Sequence, residues 1–147
     1  MALTTFKAIV KKKEGLMVEG EVRGFKVIAD EPENLGGTNK AMNPVELLLC
    51  SLGSCQTILA SSFAPKFNIK LEEFWVELEG DLDSDGFQGL SDVRPGYSNI
   101  RYNFHIKSNA SEKDVRNLVD LIEKRCPVAD TLANMVKLDS AKYTIEK

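Results

Sequence analysis

The sequence is poor in the residues that build metal sites and acid–base catalysts, with one histidine and three cysteines in 147 residues. A single histidine disfavours a histidine-based metal site or a histidine-activated catalytic triad within one chain. An odd number of cysteines argues against a framework of structural disulfides and is typical of buried or reactive thiols in a reducing compartment. We therefore expect any nucleophile to be a cysteine activated by a group other than imidazole.

The chain also lacks a charge excess, a long uninterrupted apolar run and a leader-like N-terminus. Its 19 basic and 22 acidic residues give a net charge of −3, which is unfavourable for binding nucleic acid. No uninterrupted run of about 18 apolar residues is present, so we expect no membrane span. The first residues lack the apolar core of a signal peptide. We expect a cytoplasmic protein with one domain over residues 1–147.

Alternation of polar and apolar residues predicts strands in two groups, before and after a long apolar helix. The predicted strands cover residues 4–12, 16–22, 25–29, 71–82, 100–106 and 137–145. Loops are expected at 30–39 and 83–96, which are rich in glycine, proline and acidic residues. This order predicts an α+β domain with mostly antiparallel sheets.

Three helices are predicted from their start and stop signals. Asn43 is a suitable N-cap, Pro44 suits the first helical position, and Glu46 completes a capping box, so the first helix should run to residue 63 or 64. It carries so little charge that we expect it to be a long central helix buried in the domain or in an oligomer. A capping box at Ser111 opens the second helix, and residues 128–135 are predicted to form a third.

Two cysteines stand at positions that suit redox chemistry. Cys55 lies in the middle of the apolar helix, and Cys126 lies at a helix break directly before Pro127. Their separation of about 70 residues excludes a CxxC motif or a zinc knuckle built from sequence neighbours. One sulfur on a rigid element and one at an adaptable break is an arrangement that a dithiol–disulfide cycle requires.

Each cysteine also has a purely structural interpretation. Cys55 lies in an apolar stripe, and helix geometry alone favours a small buried hydrophobe, although Gly53 and Ser54 beside it allow a close approach. Cys50 is about 140° away around the helix, and we assign it to core packing. Cys126 is equally compatible with packing at a helix end.

A reactive Cys55 needs a nearby cation, because an apolar environment disfavours the thiolate. Arg23 is the most interesting candidate, since it stands beside Gly24 in a break between two strands, although a solvated turn arginine explains it as well. Glu46 is explained by helix capping alone. The full set of candidate cations is Arg23, Arg94, Arg101, Arg116 and Arg125.

The order of these motifs resembles the OsmC/Ohr family of peroxide-reducing proteins. The matching segments cover nearly the whole chain and comprise Arg23-Gly24-Phe25, Asp30-Glu31-Pro32, Gly36-Gly37, residues 43–48, residues 51–55 and Arg125-Cys126-Pro127. The resemblance implies an intertwined homodimer with two active sites at the subunit interface. It also implies a thiol peroxidase of the oxidative stress response, with peroxiredoxin activity, that takes an organic hydroperoxide as substrate.

The resemblance also assigns roles to residues. Cys55 would attack the peroxide, Cys126 would resolve the resulting sulfenic acid, and Arg23 would stabilise the thiolate and polarise the peroxide. Glu46 would stand near the family's glutamate, which in the best-studied members directly follows the helix-start proline, where this chain has Val45. An external dithiol or lipoyl-type reductant would close the cycle without a metal or an organic cofactor.

Two other functions fit the same residues. Val45 in place of the glutamate favours a non-enzymatic module that binds a small apolar ligand on the same fold. A thiol redox sensor, whose disulfide alters a partner contact, is a third alternative.

Overall fold

The computed structural model describes residues 2–147. Contacts along the backbone divide the chain into two compact units, the first ending at Ser51 and the second covering Leu52–Lys147. The prediction of a single domain over residues 1–147 stays a prediction.

The first unit contains a three-stranded antiparallel sheet in the order β1 (Ile9–Lys12), β2 (Val18–Val22) and β3 (Phe25–Ala29). Val22 pairs with Phe25, so β2 and β3 are joined by the two residues Arg23 and Gly24. Both have positive φ, 54° and 86°, as a type I′ hairpin turn requires. An arginine rarely adopts this conformation, because its Cβ makes it costly.

Helix α1 (Pro44–Phe63) begins where the sequence predicts. The Asn43 side chain accepts a hydrogen bond from the Glu46 N–H at 2.9 Å, and the Glu46 carboxylate accepts one from the Asn43 N–H at 2.8 Å. These two bonds satisfy backbone donors that a helix start otherwise leaves unpaired. The capping role predicted for Asn43 and Glu46 is confirmed.

The second unit contains an antiparallel pair of strands, β4 (Leu71–Leu82) and β5 (Tyr97–Ser108), and three further α-helices. These are α2 (Ser84–Gln88), α3 (Glu112–Arg125) and α4 (Pro127–Ala133). Its hydrophobic core joins the end of α1 to α3, through the buried residues Ala60, Ala64, Ile69, Leu118 and Ile122. The α+β class with antiparallel sheets and a long helix is confirmed.

Within a single chain α1 is only partly buried, and its predicted burial in the domain or in an oligomer stays a prediction. Its buried residues are Leu52, Gly53, Gln56 and Ala60, whereas Val45 and Ile58 are exposed. The apolar residues that encircle the helix are therefore covered on one face only within a single chain. The stretch Pro44–Phe67 is long and apolar enough to cross a membrane by length and composition alone, a test that the core helix of a water-soluble domain also passes. The absence of a membrane span stays a prediction.

Three local predictions are wrong. Residues 137–145 form no strand, since they lie exposed without a neighbouring strand to supply backbone hydrogen bonds. For the same reason β1 begins at Ile9 rather than at residue 4. The predicted loop at 83–96 contains the short helix α2, because the Asp83 side chain accepts a hydrogen bond from the Asp85 N–H at 3.0 Å.

Candidate active site at the Cys55–Cys126 pair

Cys126 occupies the junction between α3 and α4. Its N–H donates to the Ile122 carbonyl at 3.0 Å and closes α3, while its extended backbone, with ψ of 110°, leads into Pro127. Proline suits the first position of a new helix and disfavours helical geometry in the residue before it. The Cys126 side chain is 1% exposed, and its sulfur accepts a hydrogen bond from the Ala129 N–H at 3.4 Å.

Cys55 lies on α1, and its thiol is a close neighbour of the Cys126 thiol, which affects its pKa. The backbone N–H of Val128, at the start of α4, is also near enough to the Cys55 sulfur to affect that pKa. The first turn of α4 therefore presents a backbone N–H to each sulfur, with Val128 near Cys55 and Ala129 bonded to Cys126. The structure thus brings together the two cysteines that the sequence singles out.

The electrostatic environment of Cys55 favours the neutral thiol. Burial is the largest effect and raises the pKa of Cys55 above the usual value of a thiol, and the neighbouring Cys126 raises it further. The Val128 N–H opposes this shift, because it stabilises a negative sulfur. Cys55 therefore needs an additional positive charge before it is a strong nucleophile at neutral pH.

Gly53 sets how closely α1 approaches the sheet. A Cβ atom at this position would lie 2.7 Å from Cδ1 of Leu78 on β4, so the site accepts a side chain from the sheet only because glycine has none. The contact is made by a leucine side chain, so the expected approach of another backbone or a substrate beside Cys55 stays a prediction. This contact places Leu78 of β4 against the turn of α1 that leads to Cys55.

A cavity of about 520 Å³ opens beside the cysteine pair. Leu52, one turn before Cys55, lines one side, and Ala129, which donates to the Cys126 sulfur, lines another. The wall is apolar at some positions and polar at others. Its lining residues are Leu52, Arg94, Tyr97, Ser98, Asn99, Ile100, Tyr102, Glu123, Ala129, Leu132 and Ala133. This volume is in the range of small-molecule sites.

Two polar residues of this cavity interact with each other. The Tyr102 hydroxyl on β5 donates a hydrogen bond to the Glu123 carboxylate on α3 at 3.2 Å. Burial and the neighbouring charge of Glu123 raise the pKa of Tyr102, and the proximity of Cys126 adds to this. Sequence reasoning missed both residues. The available signal for Glu123 was its place three residues before Cys126, on the same side of α3.

The sequence predicted that Cys50 packs in the core. This prediction is wrong, because Cys50 is exposed on α1. Cys50 and Cys55 lie on different sides of α1, as expected, but the side that carries Cys50 is not covered within one chain. Among residues 2–147 no group of three or more histidine, cysteine, aspartate or glutamate side chains is arranged to hold a metal ion.

Arg23 and Glu46 belong to the first unit. The Arg23 guanidinium lies 5.3 Å from the ring centroid of Phe25 and is exposed at the hairpin turn. Glu46 is exposed and makes the capping bond to Asn43. Neither role implied by the resemblance is tested by this geometry.

The other four candidate arginines lie in the second unit, and their side chains have different surroundings. Arg101 binds Glu79 and Asp81 across the exposed face of the sheet, at 2.7 and 2.6 Å. Arg116 pairs with Glu112 along α3 at 3.0 Å, and Arg125 is exposed. Arg94 lines the cavity beside the cysteine pair.

Comparison with known proteins places these features in a family. The family model described as "OsmC-like protein" matches residues 37–141, which include Cys55, Cys126 and the helices α1 to α4. The chain belongs to the OsmC-like family. The resemblance inferred from the sequence motifs is therefore confirmed.

Curated relatives and a solved structure agree with this assignment. The chain is 28% identical over 104 residues to a hydroperoxide reductase of Mycoplasma pneumoniae, covering 69% of each chain. It is 29% identical over 97 residues to the hydroperoxide reductase of Mycoplasma genitalium, covering 64% of each, just under two thirds of that relative. The crystal structure of an OsmC-like protein from Mycoplasma pneumoniae superimposes with a TM-score of 0.77 over 88% of both chains at 23% identity.

Proposed function

We propose that this OsmC-like protein reduces organic hydroperoxides with Cys55 and Cys126. The observation that carries the proposal is the close pair of thiols, Cys55 and Cys126, beside a cavity of about 520 Å³. Two relatives named hydroperoxide reductase support the same chemistry. The apolar part of the cavity wall, with Leu52, Ile100 and Leu132, suits an organic substituent better than hydrogen peroxide alone.

The reaction proceeds in two thiol steps. The Cys55 thiolate attacks the distal oxygen of the hydroperoxide, the O–O bond breaks, and the alkoxide leaves as an alcohol after taking up a proton. Cys55 is thereby oxidised to a sulfenic acid. Cys126 then attacks the Cys55 sulfur, water leaves, and a disulfide forms. An external dithiol or lipoyl-type reductant restores both thiols by exchange, and the two sulfurs carry both electrons.

Activation of Cys55 is assigned to Arg23 in this proposal. The raised pKa of Cys55 creates the need for a cation. Arg23 is selected by the family motif, and its positive φ of 54° is an uncommon conformation of the kind retained at functional sites. Glu46 is proposed to orient the activating arginine in addition to capping α1. The protein is further proposed to be a cytoplasmic homodimer.

A ligand-binding module is the second candidate, and the neutral state favoured for Cys55 supports it. Turnover separates the two. The purified protein is incubated with cumene hydroperoxide and dihydrolipoamide, and peroxide loss is followed in the wild type and in Cys55→Ser. The enzyme proposal expects catalytic peroxide loss that requires Cys55. Peroxide loss no faster than in Cys55→Ser, with retained binding of apolar compounds, would establish the binding module instead.

A further inference from the structure

We propose that Tyr102 and Glu123 form a proton relay that takes the proton from the Cys126 thiol as Cys126 attacks the oxidised Cys55. The inference rests on the proposed function and concerns its second step. That step needs a base near the sulfur, because Cys126 is only 1% exposed. A thiol becomes a good nucleophile only as its proton departs.

The relay residues reach the cavity beside Cys126 from two elements. Glu123 precedes Cys126 by three positions on the same side of α3. Tyr102 reaches the same place from β5, where it pairs with Leu78, the residue that packs against Gly53. Tyr102, Glu123 and Ala129 line one cavity, and the Ala129 N–H binds the Cys126 sulfur.

The direction of the Tyr102 hydrogen bond suits a relay. Its hydroxyl proton points to the Glu123 carboxylate at 3.2 Å, which leaves the lone pairs of the hydroxyl oxygen available to accept. The raised pKa of Tyr102 keeps the phenol neutral, so it passes a proton on rather than storing a negative charge. Glu123 is exposed and exchanges its proton with solvent.

The step balances without a further reagent. The Cys126 S–H bond breaks, its proton moves to the Tyr102 oxygen, and the Tyr102 proton moves to Glu123. The Cys126 sulfur forms the S–S bond, the S–O bond of the Cys55 sulfenic acid breaks, and hydroxide leaves. Glu123 returns one proton through water, so that the leaving group departs as water. Cys126 is oxidised and the sulfenic sulfur of Cys55 is reduced.

The first test is a single turnover with one equivalent of cumene hydroperoxide. Peroxide loss reports the first step, and disulfide formation, followed by intact mass, reports the second. Tyr102→Phe is expected to consume peroxide at the wild-type rate but to form the disulfide at least about tenfold more slowly, because general base catalysis contributes roughly 10²–10⁴-fold. A dimedone-type reagent should trap the accumulating sulfenic acid. Glu123→Gln should show the same defect.

The controls repeat each chemical change outside the cavity. Tyr143→Phe removes a hydroxyl from an exposed tyrosine, and Glu112→Gln removes a carboxylate from the exposed side of α3. Both should resolve at the wild-type rate. Should Tyr102→Phe lose its fold, judged by circular dichroism, Glu123→Gln carries the test because its side chain is exposed.

A second assay separates failure of the relay from failure of the proposed function. In a Cys50→Ser background, Cys55 is converted to a mixed disulfide with thionitrobenzoate, and attack by Cys126 releases the coloured thiolate without any peroxide. This release should slow in Tyr102→Phe, and its solvent deuterium isotope effect should decrease, which a merely structural defect would not cause. Wild-type release rates, or an unchanged isotope effect, in Tyr102→Phe would overturn the relay even if peroxide reduction is established.

Discussion

Cys55 is surrounded by groups that keep its thiol protonated, and this decides how it is activated. Burial and the adjacent Cys126 both raise the pKa of Cys55, whereas the Val128 N–H lowers it. Substrate binding in the cavity would remove further water and strengthen this preference. A positive charge supplied to the sulfur is therefore the step that separates a peroxidase from an inert binding protein on the same fold.

The two cysteines of α1 should differ in function. Cys55→Ser is expected to abolish consumption of cumene hydroperoxide, because the attacking sulfur is lost. Cys50→Ser should retain nearly wild-type activity, since Cys50 is exposed on another face of the helix. Initial rates at matched protein concentration provide the measurement, and equal losses in both variants would indicate a packing defect of α1 rather than loss of the nucleophile.

The effect of Cys126 on Cys55 can be measured by alkylation. Cys126→Ala removes both contributions by which Cys126 raises the pKa of Cys55. The pH midpoint of Cys55 alkylation should therefore move to lower pH in this variant. Peptide mass spectrometry resolves Cys55 from Cys50, whose own profile serves as the internal control. A shift to higher pH would show that Cys126 stabilises the thiolate.

Arg23 is expected to affect both charge and geometry at the thiol. Arg23→Lys keeps the charge but loses the planar guanidinium, so it should retain part of the thiolate population and lose peroxide reduction. Arg23→Met should also move the alkylation midpoint of Cys55 to higher pH, since a cation within about 4–6 Å lowers an acid's pKa by about 1–3 units. Unchanged alkylation and unchanged peroxide rates in both variants would make Arg23 a surface turn residue.

At the scale of single residues, the sequence reveals the thiols better than their partners. Cys55 and Cys126 are marked by a helix pattern and a proline break, which are local features. Tyr102 and Glu123 are ordinary members of an amphipathic strand and helix, and only the tertiary fold brings them beside Cys126. The prediction for Cys50 was wrong because a helix with apolar residues on every face does not reveal which face its own chain covers.

At the scale of elements, local sequence signals were sufficient to predict a helix that has its own capping residues and a strand that has a partner strand. The predicted ranges of β3 and β4 agree with the structure, and α1 begins at its capping box. The tail at 137–145 has strand-like alternation but no adjacent strand among residues 2–147. Periodicity records which residues prefer one face, whereas a strand also needs a partner for its backbone hydrogen bonds.

The capping box of α1 yields a prediction about stability. Asn43→Ala removes the acceptor for the Glu46 N–H and should lower the free energy of unfolding by about 1 kcal/mol. Glu46→Gln keeps an acceptor for the Asn43 N–H, so its cost should be at most a few tenths of a kcal/mol. Urea denaturation of both variants provides the measurement. A larger loss in Glu46→Gln than in Asn43→Ala would show that the carboxylate has an interaction beyond the cap.

At the scale of the whole molecule, both ends of the chain leave large apolar side chains uncovered. Leu3 and Phe6 near the N-terminus are 95% and 83% exposed, and Leu138 and Tyr143 near the C-terminus are 90% and 87% exposed. Scattered exposed hydrophobic residues are normal, but terminal segments with strand-like alternation and no partner expose both apolar surface and backbone hydrogen-bonding groups. A second copy of the chain would cover both, as the homodimer proposal requires.

We therefore expect light scattering at micromolar concentration to give the mass of two chains, with an interface of more than about 2,000 Å² in total, as obligate dimers have. Because the tail is assigned to that interface, a double variant with Leu138→Asp and Ile145→Asp should shift the equilibrium to the monomer. Lys142→Asp, which changes charge in the same segment without removing an apolar side chain, should remain dimeric. If the activating arginine acts across this interface, the monomeric variant should also lose peroxide reduction while its Cys55 alkylation midpoint rises. A wild-type protein of monomer mass would contradict the dimer and leave the exposed face of α1 in contact with solvent.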